Sequence, residues 1–589
     1  MKTTLGKNGE RGLENLLRSL LWPAFAARAG VGHGRHVLPT NILMSMLGES
    51  RRSVKHSSMA QSAALSSEDV VAAPIRRGDP HKYLIAAAVV LAALMQVIDS
   101  SIVNVALPDM MGNLGANLDE IAWVSTGYIL ASVIVIPLTG FLGDLFGRKR
   151  YFVGSIILFT LSSFFCGAAH SLGSLVFWRI VQGLGGGALM TVSQAVLFEA
   201  FPPEEAGTAM ALFGLGVMVG PTIGPTLGGW LVDNYGWPWI FYINLPVGIL
   251  ASIMIATYVH DPEHQKRPKA IDYQGIALLA VSVGALQYVL EHGQRDDWFD
   301  SRLITGLTVS GLVAGALLLW RELTTDHPAV DFRVLKHRQM WVGTVLGIVM
   351  GVGLYAMSFT LPVFLQNNLR MTAEQTGIVL LPGALATAVS MAVVGRLTQK
   401  FDPRILITAG ALIFAAAGWQ LSRITGLSGA SDFFWPLILR GVGLGLMFVP
   451  LTTITLAELA PSELAQGTGL YNFFRQLGGS FGIAGIATLV TRYTAQFRAI
   501  LGERVTTLDP LSRERVEMLT RGMMARGADF ATAHGRALQM IDRQIGGQAS
   551  VIAYGRIYVL AAILILLLIP LLLLVRQTRG AGGAHAVME

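Results

Sequence analysis

Fourteen stretches of this chain run for about twenty mostly apolar residues, long enough to cross a bilayer core of about 30 Å at about 1.5 Å of helix rise per residue. In lipid, each backbone N–H and C=O must be bonded within its own segment or a closed barrel, so repeated runs of this length specify a bundle of spanning α-helices. The runs are 83–108, 120–142, 151–169, 174–198, 206–232, 239–259, 273–291, 303–322, 340–365, 375–397, 405–422, 434–457, 466–493 and 552–576. Only 14% of residues are charged and 52% are apolar, against about 25% charged in soluble domains. Many of the 66 glycines fall inside the runs, where small residues let helices approach closely. The fold class read from this is all-α and polytopic.

An even number of spans leaves both ends of the chain on one side. One set of loops holds Arg148, Lys149, Arg150, Lys266, Arg267, Lys269, Arg333, Lys336, Arg338, Lys400 and Arg404. The short loops on the other side hold only Arg295, Arg302, Arg370 and Arg423. Basic residues stay cytoplasmic, so both termini are expected in the cytoplasm, with the chain in the inner membrane. The long polar loop 494–551 lies on the outer side, where long loops cross largely regardless of charge. The net charge of +7 thus reads as topology, and no nucleic-acid module accompanies it.

Residues 1–82 are rich in Arg, Ser and Gly and contain no span. Leu13, Leu16, Leu17, Leu20 and Leu21 form a short amphipathic stripe, and no small-residue cleavage site follows it. The expectation is a disordered cytoplasmic tail, or a start codon placed upstream of a shorter chain beginning at Met46 or Met59. Residues 577–589 form a second cytoplasmic tail. The single cysteine, Cys166, rules out an intrachain disulfide and a Cys-based metal site. No Walker loop and no His-Glu-x-x-His sequence occurs, so ATP is not the direct energy source and neither a cofactor nor a metal is expected.

Asp99 breaks the first span, with Ser100, Ser101 and Asn104 just after it. A carboxylate in mid-membrane costs about 2.5–3.5 kcal/mol on insertion scales and is a functional hypothesis by default. Burial disfavours its charged form, which makes proton gain and loss accessible. A structural hydrogen bond or ion pair between helices is the other reading. Arg179 lies in the fourth span at a depth only several ångströms from that of Asp99, by the rise of about 1.5 Å per residue. A direct pair, a water-bridged relay and an arginine reaching outward to the headgroups all remain open there.

An internal repeat links the two halves. The turn Gly140-Phe-Leu-Gly-Asp-Leu-Phe-Gly-Arg returns more weakly as Gly395-Arg-Leu-Thr-Gln-Lys-Phe-Asp-Pro-Arg. Trp178-Arg179 corresponds to Leu439-Arg440, and Glu199-Ala-Phe-Pro-Pro-Glu to Glu458-Leu-Ala-Pro-Ser-Glu. The parse is a six-span bundle over 83–260, a linker with two extra spans over 261–338, and a second six-span bundle over 339–576 that includes loop 494–551. Two such bundles suit alternating access, with a site between them near the midplane.

With these motifs in order, residues 83–576 resemble major facilitator superfamily drug:proton antiporters of the fourteen-span EmrB/QacA type. The run Gly140-Phe-Leu-Gly-Asp144-Leu-Phe-Gly147-Arg148-Lys149-Arg150 resembles the family's loop between spans two and three. The resemblance implies a cytoplasmic latch there, with Glu199 as a further partner. Arg179, Gln182 and Gly183 resemble the fourth-span motif, which implies proton transfer. Gly216, Gly220, Gly224 and Gly228, with Pro221 and Pro225 between them, resemble the fifth-span motif that marks exporters. Four glycines at a spacing of four also put a smooth face on one side of that helix. The run Trp237-Pro-Trp-Ile-Phe-Tyr-Ile-Asn244-Leu-Pro246-Val-Gly248 is similar to the opening of the family's sixth span, and its aromatics read equally as an interfacial belt. Asn472-Phe-Phe-Arg475-Gln-Leu-Gly478-Gly479-Ser480 resembles the EmrB-like branch. Asn104, Gln182, Arg440 and Arg475 are candidate cavity residues.

The resemblance implies a proton-coupled antiporter, not an enzyme, that exports amphipathic or hydrophobic compounds. A dedicated exporter of a siderophore, antibiotic or fatty acid uses the same fold, and a receptor or scaffold is the reading from a different class. Resembling Gram-negative systems work with a periplasmic adaptor and an outer-membrane channel. Loop 494–551 is a candidate docking surface for them, or a helical hairpin packed on its own bundle.

Overall fold

The structure is a computed structural model that describes residues 79–575, apart from 262–269, Pro461, Arg504 and Thr507. The expected N-terminal tail up to residue 78, and the expected C-terminal tail, lie outside the described residues. The described chain is helical. In order come α1 (Lys82–Leu114), α2 (Trp123–Phe146), α3 (Arg148–Gly167), α4 (Leu172–Ala200), α5 (Ala206–Tyr235) and α6 (Asn244–Tyr258). Then follow α7 (Tyr273–His292), α8 (Arg302–Thr324), α9 (Arg338–Asn367), α10 (Ala373–Leu397), α11 (Pro403–Leu421) and α12 (Ala430–Leu456). Last are α13 (Leu464–Gly502), α14 (Pro510–Met524) and α15 (Phe530–Leu566). Thirteen helical segments among the described residues are long and apolar enough to span a membrane. The fourteenth is α5, 30 residues long and apolar over Ala206–Val217.

Local chemistry sets the helix ends. The Asn117 side chain accepts from the N–H groups of Asp119 and Glu120 in the short turn before α2. Thr372 and Gln375 form a capping box at the start of α10, and Pro403 follows the Asp402 cap of α11. These caps satisfy N–H groups that a helix start leaves without partners. Pro108 does not end α1, which runs on to a left-handed Gly115 at φ 63°. The polar stretch 494–551 is the continuation of two membrane helices and a third between them. The helix α13 extends to Gly502, and α15 begins at Phe530, well before its apolar part. Arg498 on α13 and Asp542 on α15 pair at 2.6 Å across this hairpin.

Successive spans alternate in direction, so one face gathers Arg148, Lys149, Arg150, Lys336, Arg338, Lys400 and Arg404. We call it the basic face. The opposite one, which carries the 494–551 hairpin, is the loop face. In the first bundle α1 packs against α4, α5 and α6, while α4 also packs against α2 and α3. In the second, α9 packs against α13, α12 and α15, and α11 against α12 and α15. Between the bundles α5 meets α10 and α2 meets α13. The extra pair α7–α8 rests on α2 and α13. Large apolar side chains such as Phe177, Leu250, Ile253, Leu312, Trp320, Val389 and Val393 point outward, as lipid-facing surface requires.

The glycine row of α5 lies against α1. A Cβ at Gly216 would overlap Val90, one at Gly224 would overlap Ser101 Oγ, and one at Gly220 or Gly228 would come within 2.6 Å of Val97 or Ile102. Gly229, next along the chain, has nothing within 4 Å of such an atom. Overpacking a fitted contact costs about 1–3 kcal/mol. Gly224→Val is therefore expected to lower the melting temperature of the purified protein in detergent, whereas Gly229→Val leaves it within about the ±0.5 kcal/mol of an ordinary surface change. Equal melting of the two variants would show that the α1–α5 contact is loose.

Candidate functional site

Asp99 sits on α1 with no exposed surface. Side chains from two other helices close over it, and two more helices brace those side chains. From α4, Arg179 Nη1 donates to Asp99 Oδ2 at 2.7 Å and Gln182 Nε2 donates to Oδ1 at 3.0 Å. From α6, Asn244 Nδ2 donates to the same Oδ1 at 3.0 Å. Asn244 is itself anchored to Ser163 Oγ on α3 at 3.0 Å, and Ser163 donates to the Phe241 carbonyl at 2.9 Å. Arg179 is held in turn. Its Nε donates to the Val124 carbonyl of α2 at 2.9 Å, and Nη1 also reaches Gln182 Oε1 at 2.7 Å. The Tyr128 ring lies 4.2 Å from the guanidinium carbon. Arg179 is 1% exposed and Gln182 is 0% exposed.

A carboxylate with three donors and a guanidinium with three acceptor contacts form a nearly complete polar cell inside an apolar bundle. Each charge is solvated by the other, which is what allows either to be buried. Removing one partner of such a pair costs about 3–5 kcal/mol, because the other is then left uncompensated. The cell lies within the first bundle. The expectation of a site between the halves does not describe it, nor does a cavity position describe Gln182. The reason is direction: Asp99 and Gln182 face each other across the α1–α4 contact rather than toward α13. Of the three arrangements open for Arg179, the structure has the direct pair.

Asn104 is exposed near the loop face, where its Oδ1 accepts from Ser125 on α2 at 3.3 Å. Arg440 on α12, the repeat counterpart of Arg179, is half-buried and pairs with no carboxylate among the described residues. The helix that corresponds to α1, namely α9, carries no acidic residue. The second half therefore has no counterpart of this ion pair among the described residues.

At the basic face the signature turn gathers its residues. Gly147 takes φ 92°, a backbone that L side chains rarely adopt. Beyond it the Lys149 N–H donates to Asp261 Oδ1 at 2.7 Å. Arg148 forms an ion pair with Glu199 at the end of α4. Asp144 Oδ2 accepts from Gln466 Nε2 of α13 at 3.4 Å. Gly140 lies directly on α13, where an added Cβ would come within 2.7 Å of the Gln466 backbone Cα. On the other side of this face, an added Cβ at Gly395 of α10 would come within 2.7 Å of the Gly207 carbonyl of α5. The halves are thus in backbone contact at the basic face.

Deeper between the halves, Asn472 Nδ2 on α13 donates to Gln194 Oε1 on α4 at 2.7 Å. Arg475, 6% exposed, donates to Asn472 Oδ1 at 2.9 Å. Its guanidinium carbon lies 5.0 Å from the centre of the Phe448 ring.

A family model described as Major Facilitator Superfamily matches residues 89–483. The chain belongs to the major facilitator superfamily. It is a multi-pass membrane transporter and not an enzyme. Within the superfamily it falls with the export proteins of EmrB and FarB type. It is 34% identical over 496 residues to the multidrug export protein EmrB of Escherichia coli K12, covering 84% of this chain and 95% of that one. It is 33% identical over 499 residues to the fatty acid resistance protein FarB of Neisseria gonorrhoeae, covering 84% and 96%. Among solved structures, the human organic anion transporter MFSD10 aligns over 83% of this chain and all of its own at a TM-score of 0.53 and 14% identity, which speaks to the fold alone.

The structure of this transporter adds residues that the sequence reading did not reach. Ser163 and Gln194 are polar positions inside apolar runs, and that is the one signal that could have singled them out. Gln466 stands at the start of a span, at the end of the repeated loop Glu458-Leu-Ala-Pro-Ser-Glu-Leu-Ala-Gln-Gly, and nothing in that pattern points to its contact with Asp144.

Proposed function

We propose that this transporter is a proton-driven exporter of amphipathic or hydrophobic compounds, with the basic face in the cytoplasm. The observation that carries the reading is the sealed Asp99–Arg179 pair. A carboxylate placed in a lipid-embedded bundle at this cost needs a use, and its bonding is arranged so that one proton changes everything around it. A proton from outside adds to an Asp99 oxygen and removes the counter-charge of Arg179. The helices that this pair ties together then lose the interaction that orders them, which favours a bundle orientation open to the cytoplasm. Cargo entering from the cytoplasm or inner leaflet favours release of the proton inward. The empty, ionised pair reforms as the basic face closes. A ligand moves such an equilibrium only by binding its two states differently. Here the proton and the cargo are the two ligands, coupled by their opposite preferences.

In this scheme Gly140, Asp144, Gly147, Arg148 and Glu199 form the latch that closes the cytoplasmic side, and the α5 glycine row is the sliding contact on α1. EmrB is named for multidrug export and FarB for fatty acid resistance, and both names support outward movement of apolar cargo. The 494–551 hairpin offers exposed apolar side chains, Leu508, Leu511 and Phe530 among them, and is proposed as the docking surface for a periplasmic adaptor that leads to an outer-membrane channel.

Purified transporter in liposomes with an internal pH dye tests the reading. Addition of an uncharged apolar export probe such as Nile red is expected to start proton movement against the direction of probe movement. Probe transport that proceeds at the same rate with and without a proton gradient would remove proton coupling.

A further inference from the structure

We propose that Arg475 is the cargo anchor, and that it selects amphipathic anions, with an acidic head group and an apolar body. The inference rests on the export reading above and names its cargo class. Arg475 lies eleven residues into α13, about 16 Å from the basic-face end at about 1.5 Å per residue, which is near the middle of the bilayer core. It stands where α13 meets α4 of the other half, since Met190 Sδ of α4 is 3.8 Å from Nη2. This is the depth and the interface at which two-bundle transporters bind substrate.

Arg475 differs from Arg179 in its charge balance, which it shares with Arg440, and it touches Met190 of the other half. Arg179 is buried against a carboxylate. Arg475 is nearly as buried, and among the described residues no carboxylate pairs with it. Its neighbours are the Asn472 amide oxygen and the rings of Phe448 and Tyr471, 5.0 and 5.7 Å from the guanidinium carbon. An amide dipole and two ring faces favour a cation but carry no full charge. Guanidinium presents a planar fork of donors that matches a carboxylate or sulfonate in two parallel bonds. An anionic head group would supply the missing counter-charge, and Phe448, Tyr471 and Met190 would receive the apolar body. Asn472 bonds both Arg475 and Gln194 across the halves, so an anion taken up by Arg475 would act directly on the contact that holds them together. A cationic cargo would meet a like charge with no carboxylate to offset it.

The test uses a matched pair of probes, 2-naphthalenesulfonate and 2-naphthyltrimethylammonium, which share a ring system and differ in the sign of the head group. Equilibrium dialysis with the purified full-length protein is expected to show the sulfonate bound at least tenfold more tightly. Arg475→Gln should abolish that preference, and Arg475→Lys, which keeps the charge but loses the fork, should retain part of it. Melting of each variant in detergent reports folding. If Arg475→Gln is not recovered folded, the lysine variant and the wild-type preference still decide. Equal binding of the two probes by the wild type would overturn the proposal, as would a sulfonate preference that survives Arg475→Gln. A purely structural arginine would weaken both probes alike, which also overturns it. Proton movement driven by the sulfonate is read separately in liposomes. Its absence alongside an Arg475-dependent preference would count against the export reading and leave the anchor standing.

Discussion

Asp99→Asn is expected to reduce proton-coupled efflux to background, and adding Arg179→Gln is expected to restore stability without restoring transport. The single change keeps an acceptor near Arg179 but removes the charge that balances it. Arg179 is then a cation with no exposed path to water, and the loss should approach the about 3–5 kcal/mol typical of a broken buried pair. The double variant removes both charges. Replacing a buried ion pair by neutral groups is often close to neutral for stability, and Gln at 179 can still bond Asn at 99. The two sites are in contact, so their effects should be strongly non-additive. Melting in detergent should therefore fall for the single variant and recover for the double one, while dye efflux from energised vesicles stays at background for both. A pair that merely clamps α1 to α4 predicts the opposite for the double variant, with efflux returning alongside stability. Efflux at wild-type rates in the double variant would rule Asp99 out as the proton carrier.

Much of this pair could be read from the chain, because an acidic residue within an apolar run has few explanations and Arg179 stands at a compatible depth. The spans could be read for the same reason, since lipid tolerates so few backbone solutions. What could not be read is direction. Helix rotation decides whether Asp99 faces α4 or the other half, and rotation is settled by small residues such as Gly220 and Gly224 seating on Val97 and Ser101. Nothing in a hydropathy pattern reports that. The ends of α13 and α15 were hidden for a different reason. Outside the membrane a helix no longer needs apolar residues, so the polarity of 494–551 marks where lipid stops and not where the helices stop. Pro108 misleads in the same way. It removes one donor from the ladder, yet α1 continues to Leu114. Asn244 stood inside a family-like run, but its bond to Asp99 depends on α6 packing against α1, which belongs to tertiary structure.

Gly140→Ala is expected to hold the basic face open and to slow transport without unfolding either bundle. The effect depends on which atoms the new methyl would meet. At Gly140 they are the Cγ, Cα and backbone N of Gln466. A side chain can swing away, but the Cα and N belong to α13 itself, so relief requires the two halves to separate. The cost falls only on the orientation in which α2 touches α13 at this face. The opposite orientation pays none of it. An overpacking penalty of about 1–3 kcal/mol confined to one of two states moves their ratio by about 5- to 150-fold. Gly143, three residues on, is the internal control, because an added methyl there meets nothing within 4 Å. Spin labels on Phe146→Cys and Ser462→Cys, both exposed beside this contact, would read the separation. Cys166 can stay in place, since it is buried. The distance distribution should shift to longer values for Gly140→Ala and stay unchanged for Gly143→Ala, with efflux slowed in the first alone. Unchanged distances in Gly140→Ala would mean that α13 yields locally, and the latch would then have to be sought in Arg148 and Glu199 rather than in the close approach of the two backbones.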